Sequence, residues 1–589
     1  MDNLIKLNFI LIIFLALQTT LFSQVIQNIT VEGERELAES DYKSWSKISA
    51  GTKVFPFLTD SAEKRISSEL SKYGYYNSKI FASLIASSDS GKVNLSIVIN
   101  ENQPTIIKSI NVVGNSQSDS ILVSENFKRL NNRTFLKDDV EESINNLLDY
   151  YENNGHPFIK IKINSVFFSY DSTLETHFAD IYMEIDTGRI AKIDQVEILG
   201  NTKTKDFVVT RDTRLEKGEL YSQQRIDEIP SKLNKLKFFD PVEVPSFYFN
   251  SKDEGVLLIN VKERETNNFD GIIGYVPGGK TNDKGYVTGM VNISLRNMFG
   301  TGRASAFKWQ RIDRYSQELE LKYLEPWLFG FPFNLNASFN QLKQDTSYVQ
   351  RKFEGWLEFL ATENISAAVT FATEAVIPTI SDYSIFTVYN SSLISTGFNI
   401  KIDTRDDVYY PTEGIYFLNT YTFTRKSING PADYITENTQ LKTNLQRFAI
   451  DFLTYFNVIN NQVVSVGLHG KELRSSLIEI SDLYKFGGTN TLRGFRENQF
   501  LANRLLWSNL EYRFLLGKRT YTFLFFDSGY YLRNADEANS ILRTSEVKLS
   551  YGGGISLETG LGILSVSYAL AKGDTFNEGK IHFGIINEF

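Results

Sequence analysis

Arg493 is the residue whose setting calls most clearly for chemistry. It lies in Phe486-Gly-Gly-Thr-Asn-Thr-Leu-Arg-Gly-Phe495, a glycine-rich loop that interrupts a run of alternating, Phe- and Tyr-rich segments. A guanidinium stays charged and carries five donors in a rigid fork that suits carboxylates. Two candidate partners follow it in the chain, Glu511 and Asp527. The chemistry on offer is therefore charge pairing. Catalytic groupings are not evident: His156, His177, His469 and His582 are scattered, with no helix-spaced pair. There is no Gly-x-Ser-x-Gly elbow, no phosphate loop and no metal-ligand cluster. The adjacent acids Asp406 and Asp407 read as solvated turn residues. The expectation is a non-enzyme that needs neither cofactor nor metal.

Such a loop has to be held by a scaffold, and the rest of the chain describes one. At 589 residues the chain exceeds one ordinary domain, so a boundary is expected. Tyr 30 and Phe 44 against Met 4 and Cys 0 suit β-barrel strands better than helical cores. The lack of cysteine also removes disulfides, thiol chemistry and an N-terminal lipoprotein anchor. A net charge of -8 with no basic face argues against nucleic acid as a partner. Residues 1–23 read as a secretory signal, with Lys6 ahead of the apolar run Leu7 to Leu17. That run is too short for a spanning helix, and no other stretch approaches one. A membrane location would require a closed barrel, in which every backbone group is paired between strands.

Between Gln24 and Asn267 a unit of roughly eighty residues recurs three times. Each copy opens with a strand and a glycine: Ile29-Thr-Val-Glu-Gly33, Ile110-Asn-Val-Val-Gly114 and Val196-Glu-Ile-Leu-Gly200. A helical stretch follows and ends in a punctuated segment, as in Leu70-Ser-Lys-Tyr-Gly-Tyr-Tyr76. Each copy closes on an alternating strand, for example Val93-Asn-Leu-Ser-Ile-Val-Ile99. The order strand, helix, helix, strand, strand predicts a small α+β layer with one unpaired sheet edge. Two uses of that edge stand open: an extended client adding a strand to it, or a plain spacer under a barrel.

From Asn268 onward the texture changes to alternation, as in Leu564-Ser-Val-Ser-Tyr-Ala-Leu570. Sixteen such segments begin near Phe269, Tyr286, Arg303, Gln317, Phe331, Val349, Ile365, Leu393, Ile415, Leu441, Gln462, Arg504, Tyr521, Val547, Gly562 and Lys580. The count is even and the segments run about ten residues, as transmembrane β-strands do. The chain ends on an aromatic, Phe589, expected at a membrane interface. If the first strand leaves the repeats outward, links after even strands face the periplasm. The turns 296–303, 323–330 and 403–414 then share one side. The arginine loop, roughly Lys471 to Asn503, falls on the other side and is long enough to fold back into the lumen.

The motifs LRGF (Leu492 to Phe495), FFDSG (Phe525 to Gly529), DTRD…PTEG (Asp403 to Gly414) and NMFGTGR (Asn297 to Arg303) occur in order at barrel spacing. With them the chain resembles the outer-membrane assembly and secretion superfamily that includes BamA, TamA and the two-partner secretion transporters. The three repeats resemble the polypeptide-transport-associated (POTRA) domain. The resemblance implies α+β POTRA repeats (βααββ) ahead of an all-β, 16-stranded transmembrane barrel, with repeats at 24–103, 104–188 and 189–266 and the barrel at 267–589. It implies a lumen-loop lock of Arg493, Gly494 and Phe495 on Glu511 and Asp527. It implies a weak seam between first and last strands, marked here by Gly271, Gly274, Gly584 and Phe589. Asp403, Arg405, Pro411 and Gly414 would shape a periplasmic turn. The implied location is the bacterial outer membrane with the repeats in the periplasm. The three-repeat layout is most similar to the TamA branch, an assembly factor that inserts barrel proteins without ATP, with a TamB-like bridging partner. A two-partner secretion transporter and a BamA-like core insertase are the alternatives. Implied partners are the lipid bilayer and unfolded outer-membrane or secreted polypeptides.

Overall fold

The computed structural model describes residues 24–586 apart from 90, 115–119, 278–284, 312, 380–385, 387, 409, 438, 518, 536–540 and 560–561. The expected signal segment and Phe589 lie outside the described residues. The chain divides into two compact units, 1–195 with 216–226 and 247–256, and 196–215 with 227–246 and 257–589. The division runs through the third repeat.

Apolar residues one turn apart build the repeat helices. In the first repeat β1 (Val25–Glu34) is followed by α1 (Glu39–Ser46), α2 (Leu58–Lys72), β2 (Lys79–Ala86) and β3 (Lys92–Asn100). Leu58, Ala62, Ile66 and Leu70 make one buried stripe on α2. That stripe packs with Ile26, Ile29 and Val31 of β1 and Leu95, Ile97 and Ile99 of β3. The sheet order is β1-β3-β2, with β1 parallel and β2 antiparallel to β3. The second repeat runs β4 (Ile106–Val113), α3 (Ser120–Lys128), α4 (Lys137–Asn153), β5 (Lys160–Asp171) and β6 (Thr176–Asp186), in the equivalent order β4-β6-β5. The third has β7 (Lys192–Ile193), β8 (Gln195–Leu199), α5 (Asp206–Thr213), β9 (Glu219–Leu220), α6 (Gln223–Asp227), α7 (Ile229–Leu236), β10 (Ser246–Phe249) and β11 (Gly255–Asn260).

The repeated glycines have one shared cause. Gly33, Gly114 and Gly200 all have φ between 90° and 111°. A Cβ on each would sit 1.9–2.3 Å from a carbonyl oxygen at the end of its own repeat's closing strand, that of Ile99, of Ile185, or of Val261 just after β11. Both the left-handed backbone and the close approach require glycine.

Alternation builds the wall. Its first eight strands are β12 (Asn268–Val276), β13 (Tyr286–Met298), β14 (Arg303–Arg311), β15 (Gln317–Glu325), β16 (Phe333–Gln344), β17 (Tyr348–Leu360), β18 (Ile365–Pro378) and β19 (Asn390–Asp403). Then come β20 (Gly414–Gly430), β21 (Lys442–Ile459) and β22 (Gln462–Arg474). A loop holds the short pair β23 (Tyr484–Phe486) and β24 (Phe500–Ala502). The wall resumes with β25 (Arg504–Gly517), β26 (Thr520–Arg533), β27 (Thr544–Thr559), β28 (Gly562–Ala571) and β29 (Lys580–Ile586). These sixteen strands form one antiparallel sheet in chain order. The largest departure from the sequence expectation is three residues, at Asn390 and Thr544. Among the described residues the ladder has β12 and β29 as its two edges. No helix is long and apolar enough to cross a membrane among the described residues, which says nothing about strands.

Within the second unit, links after the second, fourth, sixth and eighth wall strands all meet the third repeat. Lys205 N donates to Gly300 O at 2.9 Å, and Asn297 Nδ2 to Thr204 Oγ1 at 2.7 Å. Trp327 Nε1 donates to Asp212 at 3.0 Å, and Arg214 donates to the Leu360 and Ala361 carbonyls. Lys235 Nζ reaches Asn364 Oδ1 at 2.6 Å and Asp403 O at 3.2 Å. The four links therefore share one end of the barrel, as strand parity requires.

Candidate functional site: the lumen loop

Residues 475–503 join β22 to β25 and fold back against the wall. Strand alternation decides what they meet there. On β26 the outward Leu524 and Phe526 are exposed, while Phe523, Phe525 and Asp527 are buried. The inward residues of the Phe-Phe-Asp-Ser-Gly segment meet the loop at two places, Phe525 and Asp527 at Arg493 and Gly529 at Phe486. The Phe525 ring lies 3.7 Å from the Arg493 guanidinium carbon, a cation–π stack. Asp527 accepts from Arg493 Nε at 2.8 Å and Nη2 at 2.7 Å, and from the Arg493 backbone N at 3.1 Å. Gly529 leaves room for Phe486, whose Cζ would lie 2.5 Å from a Cβ there.

The third partner sits on the neighbouring strand. Arg493 Nη1 donates to Glu511 Oε1 at 2.6 Å, and Glu511 Oε2 in turn takes Arg513 at 2.8 Å. Asp527, Arg493, Glu511 and Arg513 form an alternating chain of two acids and two guanidinium groups with no net charge. Asp527 is 0% exposed and Arg493 7%. Charges so far from water persist because each is paired and hydrogen-bonded. Asn509 Nδ2 completes Asp527 at 2.8 Å and also donates to Thr491 O at 2.9 Å.

The flanking motif residues seat the guanidinium. Leu492 is fully buried with Phe486, Ala502, Leu505, Trp507 and Tyr531. Phe495 packs on Phe500, ring centroids 5.3 Å apart. Gly494 has φ 91°, and a Cβ there would lie 2.8 Å from Ser550 Cβ and 3.0 Å from Ala571 N. Its N–H points at His582 Nε2 on the last strand, 3.3 Å away. His582 Nδ1 lies 3.2 Å from Thr489 Oγ1. Sequence reading placed His582 among scattered histidines; only the fold brings β29 under the loop tip. Arg513 was missed as well, although its offset of two from Glu511 puts both on the same face of one strand. Beside the loop a lumen cavity of about 1400 Å³ is lined by Arg493, Glu511, Arg513, Tyr521 and His582.

The other expected residues fall elsewhere. Gly271 and Gly274 lie within β12, opposite Val291 and Thr288, and Gly584 lies within β29 opposite Ser565. None of the three has left-handed backbone. In the 403–414 turn Arg405 makes a two-pronged pair with Asp403, Nε and Nη2 each at 2.8 Å. Asp406 accepts from Thr412 N and Oγ1 and from Glu413 N. Gly414 has φ 102°. Pro411 is buried, and its neighbour Tyr410 packs on Tyr521, ring centroids 5.0 Å apart. Among the described residues no cluster of His, Cys, Asp and Glu could hold a metal ion.

In the third repeat Glu263 gathers the turn after β8. It accepts from Thr202 Oγ1 at 2.7 Å, Lys203 N at 2.9 Å and Thr204 N at 2.5 Å. Burial pushes its carboxyl up, but these donors outweigh burial and hold it at about 2.

Comparison with known proteins places these features. Residues 297–589 match the Omp85 superfamily domain, and 24–102 and 191–264 match the surface antigen variable number repeat, a POTRA unit. The chain is 22% identical to the outer membrane protein assembly factor BamA of Nitratidesulfovibrio vulgaris, over 95% of this chain and 72% of that protein. Other BamA relatives are matched over 22–52% of their own length. Among solved structures, CdiB from Escherichia coli aligns with 93% of this chain and 98% of its own at 12% identity, TM-score 0.49. BamA from Haemophilus ducreyi lacking POTRA domains 1–3 aligns with 81% and 98% at 18% identity, TM-score 0.46.

Proposed function

Because this chain belongs to the Omp85 superfamily, we propose that it is an outer-membrane assembly factor that receives clients on its periplasmic repeats and passes them into the bilayer at the β12–β29 seam. It resides in the outer membrane with the repeats in the periplasm. The observation that carries the proposal is the loop. A charged tip buried against β25 and β26 occupies the lumen, so an inserting strand is better served by a lateral route than by an axial one. The seam strands carry glycines at Gly271, Gly274 and Gly584, which weaken strand interiors.

Capture fits the repeat edges. In the sheet orders β2 and β5 are edge strands. They present Phe81 at 66% and Phe167 at 61% exposure. An extended apolar segment can add there by main-chain hydrogen bonds, with the aromatics gripping alternate side chains. No nucleotide is required, since burial of the client's apolar surface supplies the free energy. Within the superfamily the three-repeat layout favours a TamA-like role with a TamB-like periplasmic bridge. A polypeptide transporter of the two-partner type is the second reading, favoured by the cavity of about 1400 Å³ beside the loop.

One cysteine on β12 and one on β29, in a chain with Cys 0, test the route. Oxidation is expected to stop insertion of a barrel client into liposomes, and reduction to restore it. A cross-linked form with full insertion activity would eliminate the seam route and leave axial passage.

A further inference from the structure

A second buried charge cluster holds the same loop from the opposite direction. Lys426 on β20 is fully buried, with Nζ 2.5 Å from Glu479 Oε2 and 2.7 Å from Asp482 Oδ2. Both acids belong to the loop, and their side chains are 5% and 1% exposed. They form one tight turn: Asp482 N donates to Glu479 O at 2.9 Å, and Glu479 N to Asp482 Oδ2 at 2.9 Å. Glu479 Oε1 also accepts Tyr389 N at 2.6 Å. Arg447 of β21 approaches Asp482 Oδ1 at 3.8 Å. Two wall cations thus face two loop anions.

The polarity is the reverse of that at the tip. There the loop supplies the cation and β25 and β26 supply the acids; here the wall supplies the cation and the loop supplies the acids. The two attachments lie on different parts of the wall, the ninth and tenth strands against the twelfth and thirteenth. A loop tied only at its tip could swing its first half into the lumen. Tied at both places, it has one path, and the guanidinium arrives opposite Asp527 at small entropic cost.

We propose that Lys426 is a positioning residue: by clasping Glu479 and Asp482 it fixes the base of the loop to β20 and holds Arg493 in register with its acids. Its consequence for client insertion rests on the loop-dependent function proposed above; the clasp itself does not. Ser481, between the two acids, has a buried hydroxyl with no hydrogen-bond partner among the described residues and offers a small probe position. In a chain free of cysteine, Ser481→Cys gives a single label site.

The test is the rate at which a membrane-impermeant maleimide labels Ser481→Cys in the folded, liposome-inserted protein. Lys426→Met is expected to speed labelling at least tenfold, and Lys426→Arg to stay within a few-fold of the parent. Lys426→Met leaves two buried acids facing each other and could fail to fold. The variant Lys426→Met/Glu479→Gln/Asp482→Asn removes that repulsion, and it is expected to fold and still label fast. Slow labelling in whichever of these two variants inserts would overturn the clasp. Fast labelling with unchanged client insertion would uphold the clasp and refute the loop-dependent function instead.

Discussion

Replacing Arg493 with Ala removes the centre of the buried charge chain, and the cost can be worked from what remains. Three side-chain hydrogen bonds disappear, two to Asp527 and one to Glu511. Glu511 keeps Arg513, so its charge stays compensated. Asp527 keeps Asn509 and, while the loop stays docked, the N–H of residue 493. Breaking a buried pair costs ~3–5 kcal/mol when the survivor is stranded. The remaining donors place this case near the lower end, about 3 kcal/mol. At about 1.4 kcal/mol per tenfold, loop opening should become favoured by roughly two orders of magnitude. Hydrogen exchange of the amides in 487–500 reads this directly, with the β25 and β26 amides as an internal control for an intact wall. Asp527→Asn should cost less, because Arg493 retains Glu511, and the double variant should lose less than the sum of the two singles. Loop protection within threefold of the parent in Arg493→Ala would refute the view that this charge chain seats the loop.

Gly494→Ala should unseat the tip without touching a charge, since the new Cβ meets Ser550 Cβ and the Ala571 backbone at φ 91°. Tryptic cleavage within 484–500 should rise about tenfold and client insertion fall in parallel; a variant matching the parent in both would show that the close packing is immaterial. Glu263 makes the periplasmic junction acid-sensitive. Its folded value of about 2 lies below the ordinary 4.5, so its contribution is whole above pH 4.5 and fades as pH falls towards 2. Solvent screening reduces that contribution to ~1–2 kcal/mol. Glu263→Gln should therefore lower the unfolding temperature of the repeats at pH 7 and make little difference near pH 2, and equal losses at both would contradict this.

Much of the wall was legible in the chain because a β-strand has a period of two. Alternation located sixteen strands, and strand parity put the turns at 296–303, 323–330 and 403–414 on one side. Gly33, Gly114 and Gly200 marked the repeats for a reason written in backbone geometry. Arg493 stood out because a glycine-rich loop surrounds it, and its pairing with Glu511 and Asp527 was what the family resemblance implied. Lys426 carried no such signal among 62 Lys and Arg residues. Its partners lie 53 and 56 positions away, joined only when the loop crosses the lumen. His582 beneath Gly494 is the same case, 88 positions distant. Period two decides which face a side chain takes, but not which inward residues meet across an enclosed space. That is decided by where a closing wall brings distant strands and by the single path that lets a long loop bury its charges in pairs.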